Sequence, residues 1–266
     1  MKEISSVHNP SVKHWVALQE KSRTRKQEQL FLIEGIREIR LACQGGYELA
    51  SLLWCADITS EITWQQFGVA PSKVIAISKE VYKKIAYRNS TEGIIAIGKC
   101  RNHSLDAIVL SSENPLVLVA EAPEKPGNIG ALLRTADAAG VDAVLIANPR
   151  TDVYNPNIIR SSVGCVFTNT IGVGTTNEII RFLQDRNIQI RCAALSASVP
   201  YDEVDYTHGT AIVVGTEDEG LTEEWLKHSA QNIIIPMEGV IDSMNVSVAA
   251  SVLIYEAKRQ RKNHQR

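Results

Sequence analysis

The sequence predicts an α/β protein of two parts, a small α/β unit followed by a larger one built on a mostly parallel sheet. Three observations predict it. Short apolar runs alternate with helical patterns through the C-terminal half, the order that a parallel sheet covered on both faces requires. The 266 residues exceed the usual size of one domain, and 44% of them are apolar, ample for a buried core. The charge divides along the chain: residues 1–105 hold 15 Lys+Arg against 10 Asp+Glu, a net of +5, and residues 106–266 hold 13 against 20, a net of −7.

In order along the chain, residues 13–40 carry a helical pattern, with Trp15, Val16 and Leu18 in one segment and Ile33, Ile36 and Ile39 at helical spacing in a second. Between them KSRTRKQEQ places Lys21, Arg23, Arg25 and Lys26 within six residues. It reads as a basic turn facing phosphates or as an exposed helix end, and the first reading is preferred. Apolar runs at 52–54, 74–77 and 94–98 then close a small unit near Lys99. The stretch CRNHSLDAIVLSSENP is the boundary, which divides the chain into 1–105 and 106–266. Beyond it, strands are expected at 116–120, 143–147, 168–171, 189–194, 211–215 and 232–235, with helices at 130–139, 178–186 and 246–261. The basic first part suits a polyanionic partner, since phosphate neutralisation supplies most sequence-independent nucleic-acid affinity; solvated surface charge is the plainer alternative.

Several classes are excluded or disfavoured. No run of about eighteen uncharged apolar residues occurs, and the start MKEISSVHNPSVKHW lacks the apolar core of an export signal, so a soluble, non-exported protein is expected. Cys43, Cys55, Cys100, Cys165 and Cys192 are odd in number, scattered, and never form C-x-x-C. Neither a disulfide framework nor a metal site is expected, and the cysteines fit a reducing cytoplasm. A dinucleotide-dependent oxidoreductase would need G-x-G-x-x-G after an early strand, and no such run exists.

Three segments carry candidate chemistry. In EAPEKPGNIGALLRTADAAGV a strand gives way to a Pro and Gly-rich turn and a helix starting near Ile129, with Asn128 as its N-cap. Arg134, among Leu132, Leu133 and Ala136, falls where a guanidinium is costly to bury unpaired. Either it pairs with an internal carboxylate or it awaits an anionic ligand. In AIVVGTEDEGL, Gly215 ends a strand and lets backbone approach a ligand, and Glu217 follows as an acceptor for hydroxyl or amino groups, although an exposed turn explains the acids equally. In NIIIPMEGVIDSMNVSVAASVLIYEAKRQR, Ser243 and Asn245 stand at a helix entrance, where one cap would suffice; Ser243, Asn245 and Ser247 together suggest a polar cluster.

Jointly, these segments resemble the SpoU family of RNA 2'-O-ribose methyltransferases, a branch of the SPOUT superfamily. The resemblance rests on Asn128, Gly130, Arg134, Thr135 and Ala136, then Gly215, Glu217, Gly220 and Leu221, then Ile235, Pro236, Met237, Gly239, Ser243, Asn245, Val246, Ser247 and Val248. The opening ISSVHNPSVKHWVALQEKSRTRKQEQLFLIEGIREI is similar to the small L30e-like substrate-binding domain found before many SpoU catalytic domains. Glu124 and Lys125 stand where an aspartate commonly precedes the Pro-Gly turn, and Met244 where leucine is frequent. The resemblance implies a SPOUT catalytic domain with a C-terminal trefoil knot, a homodimer, and S-adenosylmethionine bound near Gly215, Ile235 and Met244. It places Asn128, Arg134, Glu217, Ser243 and Asn245 at polar active-site positions, and assigns Arg134 as the base. A guanidinium with a pKa above ~12 is a poor base, so Arg134 is preferred as a phosphate clamp and stabiliser of a developing alkoxide. Ribosomal RNA is the favoured substrate, with transfer RNA as the alternative; a non-catalytic RNA-binding or ribosome-assembly protein of the same fold is the competing class.

Overall fold

The computed structural model describes residues 2–87, 92–196, 198–216, 219–241 and 243–264. The chain begins with β1 (Lys2–Ile4), α1 (Pro10–Glu20), α2 (Ser22–Glu28), β2 (Leu30–Glu34), α3 (Ile36–Gln44), β3 (Leu49–Trp54), α4 (Ile62–Gln65), β4 (Val74–Ile77), α5 (Lys79–Ile85) and β5 (Ile94–Lys99). It continues through β6 (Leu116–Glu121), α6 (Pro126–Ala139), β7 (Ala143–Ala147), α7 (Pro156–Ser161), β8 (Ile171–Gly174) and α8 (Thr176–Gln184). It closes with β9 (Gln189–Ala193), β10 (Ser198–Pro200), β11 (Thr210–Val214), α9 (Glu223–His228), β12 (Gln231–Ile234) and α10 (Val246–His264). Two compact units result, one of Met1–Arg101 with Thr151–Thr168, the other of Asn102–Arg150 with Asn169–Arg266. No described helix is long and apolar enough to cross a membrane.

The first unit is a mixed sheet in the order β1-β4-β3-β5-β2, with β5 antiparallel to both its neighbours and the other pairs parallel. Asn9 starts α1 by accepting the Ser11 N–H on Oδ1 at 2.9 Å, and Pro10 takes a first-turn position where no amide is needed. Val12, Trp15 and Leu18, spaced by three, enter one core with Leu32, Ile77 and Val81. Two expectations are corrected here. The basic stretch is the helix α2, ended by Gln29 in the left-handed region (φ 54°), and is not a turn. Ile33 lies in β2, paired with Ala96 of β5, so only Ile36 and Ile39 are helical. Phe31, Leu32 and Ile33 are all buried, and a run that is apolar on both faces suits a strand buried on both faces better than one helix stripe.

The segment Thr151–Thr168, expected in the C-terminal part, belongs to this first unit. Tyr154 stacks on Phe31 with ring centroids 4.1 Å apart, and Phe167 lies 5.9 Å from Phe31. Residues Cys165–Phe167 form a tight helical turn, so the strand expected at 168–171 starts at Ile171 instead. A buried ion pair locks the segment down: Arg25 donates Nε to Asp152 Oδ1 at 3.0 Å and a terminal nitrogen to Oδ2 at 2.7 Å. Its remaining nitrogen donates to the carbonyls of Leu18 and Gln19 at 2.7 and 2.9 Å. Arg25 is 2% exposed, so it is a structural residue and not the RNA contact expected from its place in the basic stretch. Lys21, Arg23 and Lys26 of the same stretch are exposed.

The second unit is a seven-stranded sheet in the order β10-β12-β9-β11-β6-β7-β8, with every pair parallel. β6, β7 and β11 are buried along their whole length, as central strands covered on both faces must be. On one face Val117, Val119, Leu145 and Val213 pack with Ile179, Leu183 and Trp225 of α8 and α9. The alternate residues Leu118, Ile146 and Ile212 are buried towards the other face, which α6 and α10 cover. From β6 the chain runs outward through β7 and β8, then builds its remaining strands on the far side. The strand order therefore reverses between β6 and β11, and a crevice opens beyond the carboxyl ends of the strands at such a point.

Removing one member of a buried pair leaves the other charge uncompensated, which costs ~3–5 kcal/mol. Asp152→Ala is expected to destabilise the first unit by that amount, read as a fall in urea midpoint by tryptophan fluorescence. A loss under about 1 kcal/mol would show that the pair does not hold the segment.

Candidate functional site

The C-terminal ends of β6, β11 and β12 present three loops to the crevice, and residues 194–196 after β9 line it as well. The first follows β6. Glu121 ends that strand 2% exposed, its carboxylate accepting from Thr176 Oγ1, Thr222 N and Thr222 Oγ1, each at 2.9 Å. A buried carboxylate needs such donors, and these tie the loop after β11 and the start of α8 to the central strand. Sequence reasoning missed Glu121; the available signal was an acid closing the otherwise apolar LVLVAE.

Helix α6 starts at Pro126, with Lys125 as its cap residue, so Asn128 is in the first turn and is not the N-cap expected for it. Proline at N1 moved the helix start three residues ahead of Ile129. The Asn128 Oδ1 instead accepts from Asn245 Nδ2 at 3.2 Å. Asn245 caps α10, its Oδ1 accepting the Ser247 N–H at 3.0 Å and the Ser247 hydroxyl at 2.6 Å. One side chain thus starts a helix and binds the other motif. The two helices run side by side in the same direction, joined again by Thr135 and Ser251 at 2.9 Å and by Lys258 Nζ donating to the Gly140 carbonyl at 3.3 Å.

The second loop leaves β11 at Gly215. Thr216 N donates to the Gly220 carbonyl at 3.0 Å, and Gly220 is left-handed at φ 69°. A Cβ on Gly215 would sit 2.1 Å from the Gly220 oxygen, so the loop's own closure demands glycine there. Glu217 lies outside the described residues. The third loop, after β12, carries Ile235, Met237, Ser243 and Met244.

Two adjoining cavities occupy the crevice. The larger, about 420 Å³, falls in the range of small-molecule sites, and Leu195, Ile233, Ile235, Met237 and Leu253 give it apolar walls. Gly215, Ser243 and Met244 line it too, so Gly215, Ile235 and Met244, the residues expected to hold a methyl donor, meet in one place. The smaller, about 120 Å³, has mixed walls, with Glu124, Lys125, Asn128 and Arg150 beside Pro123 and Leu132. Gly215, Thr216, Glu219 and Val246 border both. No cysteine lines either, and burial pushes the Cys192 thiol up to about 11, which leaves it unsuited to nucleophilic chemistry. Among the described residues there is no cluster of three or more His, Cys, Asp or Glu able to hold a metal ion.

Arg134 corrects another expectation. It is exposed on α6, while Leu132, Leu133 and Ala136 face inward, and it lines neither cavity of its own chain.

Residues 115–255 match the model of the SpoU rRNA Methylase family, and residues 9–96 match the MRM3-like substrate binding domain. The chain belongs to the SpoU family. Among its relatives is the 23S rRNA (guanosine(2553)-2'-O)-methyltransferase RlmP of Bacillus subtilis, 28% identical over 258 residues, covering 97% of this chain and 100% of that protein. A solved RNA 2'-O ribose methyltransferase superposes with a TM-score of 0.84 at 38% identity, covering 98% of this chain and 99% of the other. The SpoU methyltransferase AviRb of Streptomyces viridochromogenes, solved with its cofactor AdoMet, superposes at 0.88 with 27% identity, covering 96% and 99%. The SpoU assignment thus covers both units.

The double role of Asn245 is separable. Asn245→Ala should cost about 0.5–2 kcal/mol of stability as a lost cap, whereas Asn245→Asp keeps the cap acceptor and loses only the donor to Asn128. Thermal unfolding should therefore distinguish the two variants; equal destabilisation would show that the cap is unimportant.

Proposed function

We propose that this chain transfers a methyl group from S-adenosylmethionine to a ribose 2'-hydroxyl of ribosomal RNA. It acts as a cytoplasmic homodimer, with residues 235–245 threaded through the trefoil knot of the SPOUT fold. The observation that carries the reading is the adjacency of the two cavities at the strand-order reversal, sharing Gly215 and Thr216 as a common wall.

The larger cavity fits the donor. Ile233, Ile235 and Leu253 offer apolar surface to a flat base, and the loop backbone around Gly215 and Met244 offers polar groups without bulky side chains between. When bound there, S-adenosylmethionine supplies an electrophilic sulfonium methyl. The smaller cavity suits the other reactant: Asn128, held by Asn245, orients a hydroxyl, with Lys125 beside it and Arg150 paired with Glu124 on the wall. Ser243 adds a hydroxyl on the donor side. Holding two reactants in line can supply ~7–11 kcal/mol of the barrier.

Arg134 binds the phosphate beside the target ribose and stabilises the alkoxide as the hydroxyl proton passes to solvent water. Since it lines neither cavity of its own chain, the homodimer gives it a site to serve, that of the partner. Support for self-association comes from Val248 and Tyr255, 51% and 53% exposed at helical spacing on α10. Ribosomal RNA is favoured because a relative named for 23S rRNA matches along the whole chain, the substrate-binding unit included. The exposed Lys21, Arg23 and Lys26 supply charge for RNA on that unit.

Calorimetry with S-adenosylmethionine and transfer of labelled methyl to ribosomal RNA test the reading together. Arg134→Ala should bind the donor as the wild type does and lose about 100-fold or more in transfer rate. Transfer within a few-fold of wild type would remove Arg134 from the mechanism, and failure of the wild type to bind the donor would favour a non-catalytic RNA-binding protein.

A further inference from the structure

One surface feature of the first unit is used neither by its core nor by the proposed chemistry. Tyr87 is 43% exposed, and the guanidinium carbon of Arg160 lies 5.9 Å from its ring centroid. Both line a shallow groove of about 20 Å³ with Gln19, Glu34 and Pro156. The Tyr87 backbone is fixed, its N–H donating to Glu34 Oε2 at 2.7 Å. Arg160 is exposed on α7, within the segment that Tyr154, Phe167 and the Arg25–Asp152 pair hold in this unit.

We infer that Tyr87 and Arg160 form a stacking site for an unpaired nucleobase of the RNA substrate. The inference rests on the RNA-methyltransferase reading and adds to it a recognition element outside the catalytic crevice. The groove is too small to enclose a ligand, so a partner must lie across it, as a base lies on an aromatic ring or a guanidinium plane. The Glu34 carboxylate on the groove would repel a phosphate but accept hydrogen bonds from the amino edge of a base, which makes the site one for a base. Phosphates have their own place nearby: Gln19, on the groove, is two residues from Lys21 and four from Arg23, both exposed. The substrate-binding family model ends at residue 96, so Arg160 lies in the stretch matched by the methylase model and reaches this surface only because Thr151–Thr168 folds with the first unit.

The test is RNA affinity and steady-state methylation of ribosomal RNA by wild type, Tyr87→Ala, Tyr87→Phe, Arg160→Ala and Arg160→Lys. Loss of a stacked aromatic should weaken RNA binding by about tenfold, within a range of roughly fivefold to a hundredfold. Tyr87→Ala is expected to raise KM for RNA by that factor with kcat and S-adenosylmethionine affinity unchanged, and with an unchanged salt slope, because a base contact releases no counterions. Tyr87→Phe should match wild type, and Arg160→Lys should be as weak as Arg160→Ala, since an ammonium keeps the charge and loses the plane. Wild-type affinity in Tyr87→Ala, or full recovery in Arg160→Lys, would overturn the stacking site while leaving the methyltransferase reading intact. A wild-type protein that neither binds nor methylates ribosomal RNA would overturn both.

Discussion

The carboxylate of Glu121, buried at the end of the central strand, is the interaction from which the site is organised. A charge in that position costs several kcal/mol unless it is fully hydrogen-bonded. Here the donors are a backbone amide and two threonine hydroxyls drawn from the start of α8 and the residue that precedes α9. Satisfying the carboxylate pulls the loop after β11 against the end of β6. The short return from Thr216 to Gly220 leaves no room for a side chain at Gly215, and the two cavities come to share that wall. The Asn245–Asn128 bond does the equivalent work on the other side, joining the entrance of α10 to the first turn of α6.

Much of this was legible in the sequence because it depended on local pattern. The strands β3 to β7 and β9, β11 and β12 read as apolar runs, and α6, α8 and α10 as periodic stripes between turn signals. What escaped depended on partners distant in sequence. Arg25 reads as one of four cations in a basic stretch, and only Asp152, 127 residues away, makes it a buried structural residue. Ile33 kept a helical spacing with Ile36 and Ile39 by coincidence, and the ladder with β5 decided otherwise. Arg134 was expected inside on the strength of its apolar neighbours, yet a helix places successive residues about 100° apart and turned it to the surface.

The site was legible as a set of residues before it was legible as geometry. Gly215, Ile235, Ser243 and Met244 do converge on one cleft, and Asn128 and Asn245 do meet, but Asn128 meets Asn245 as a tether and is not the N-cap residue of α6. Arg134 was grouped with them, yet it is exposed on α6 and lines neither cavity. The charge asymmetry acquires a physical form as well. The basic first part carries exposed cations, and the unit it forms with Thr151–Thr168 an exposed aromatic–guanidinium pair, while the crevice lies in the second unit.

The central claim is that these two units together methylate a ribose in ribosomal RNA. Mapping of 2'-O-methylated positions in ribosomal and transfer RNA from cells with and without the gene tests it most directly. A ribose methylation in ribosomal RNA that is present with the gene and absent without it is the expected result. Identical ribosomal maps, or a loss confined to transfer RNA, would contradict it.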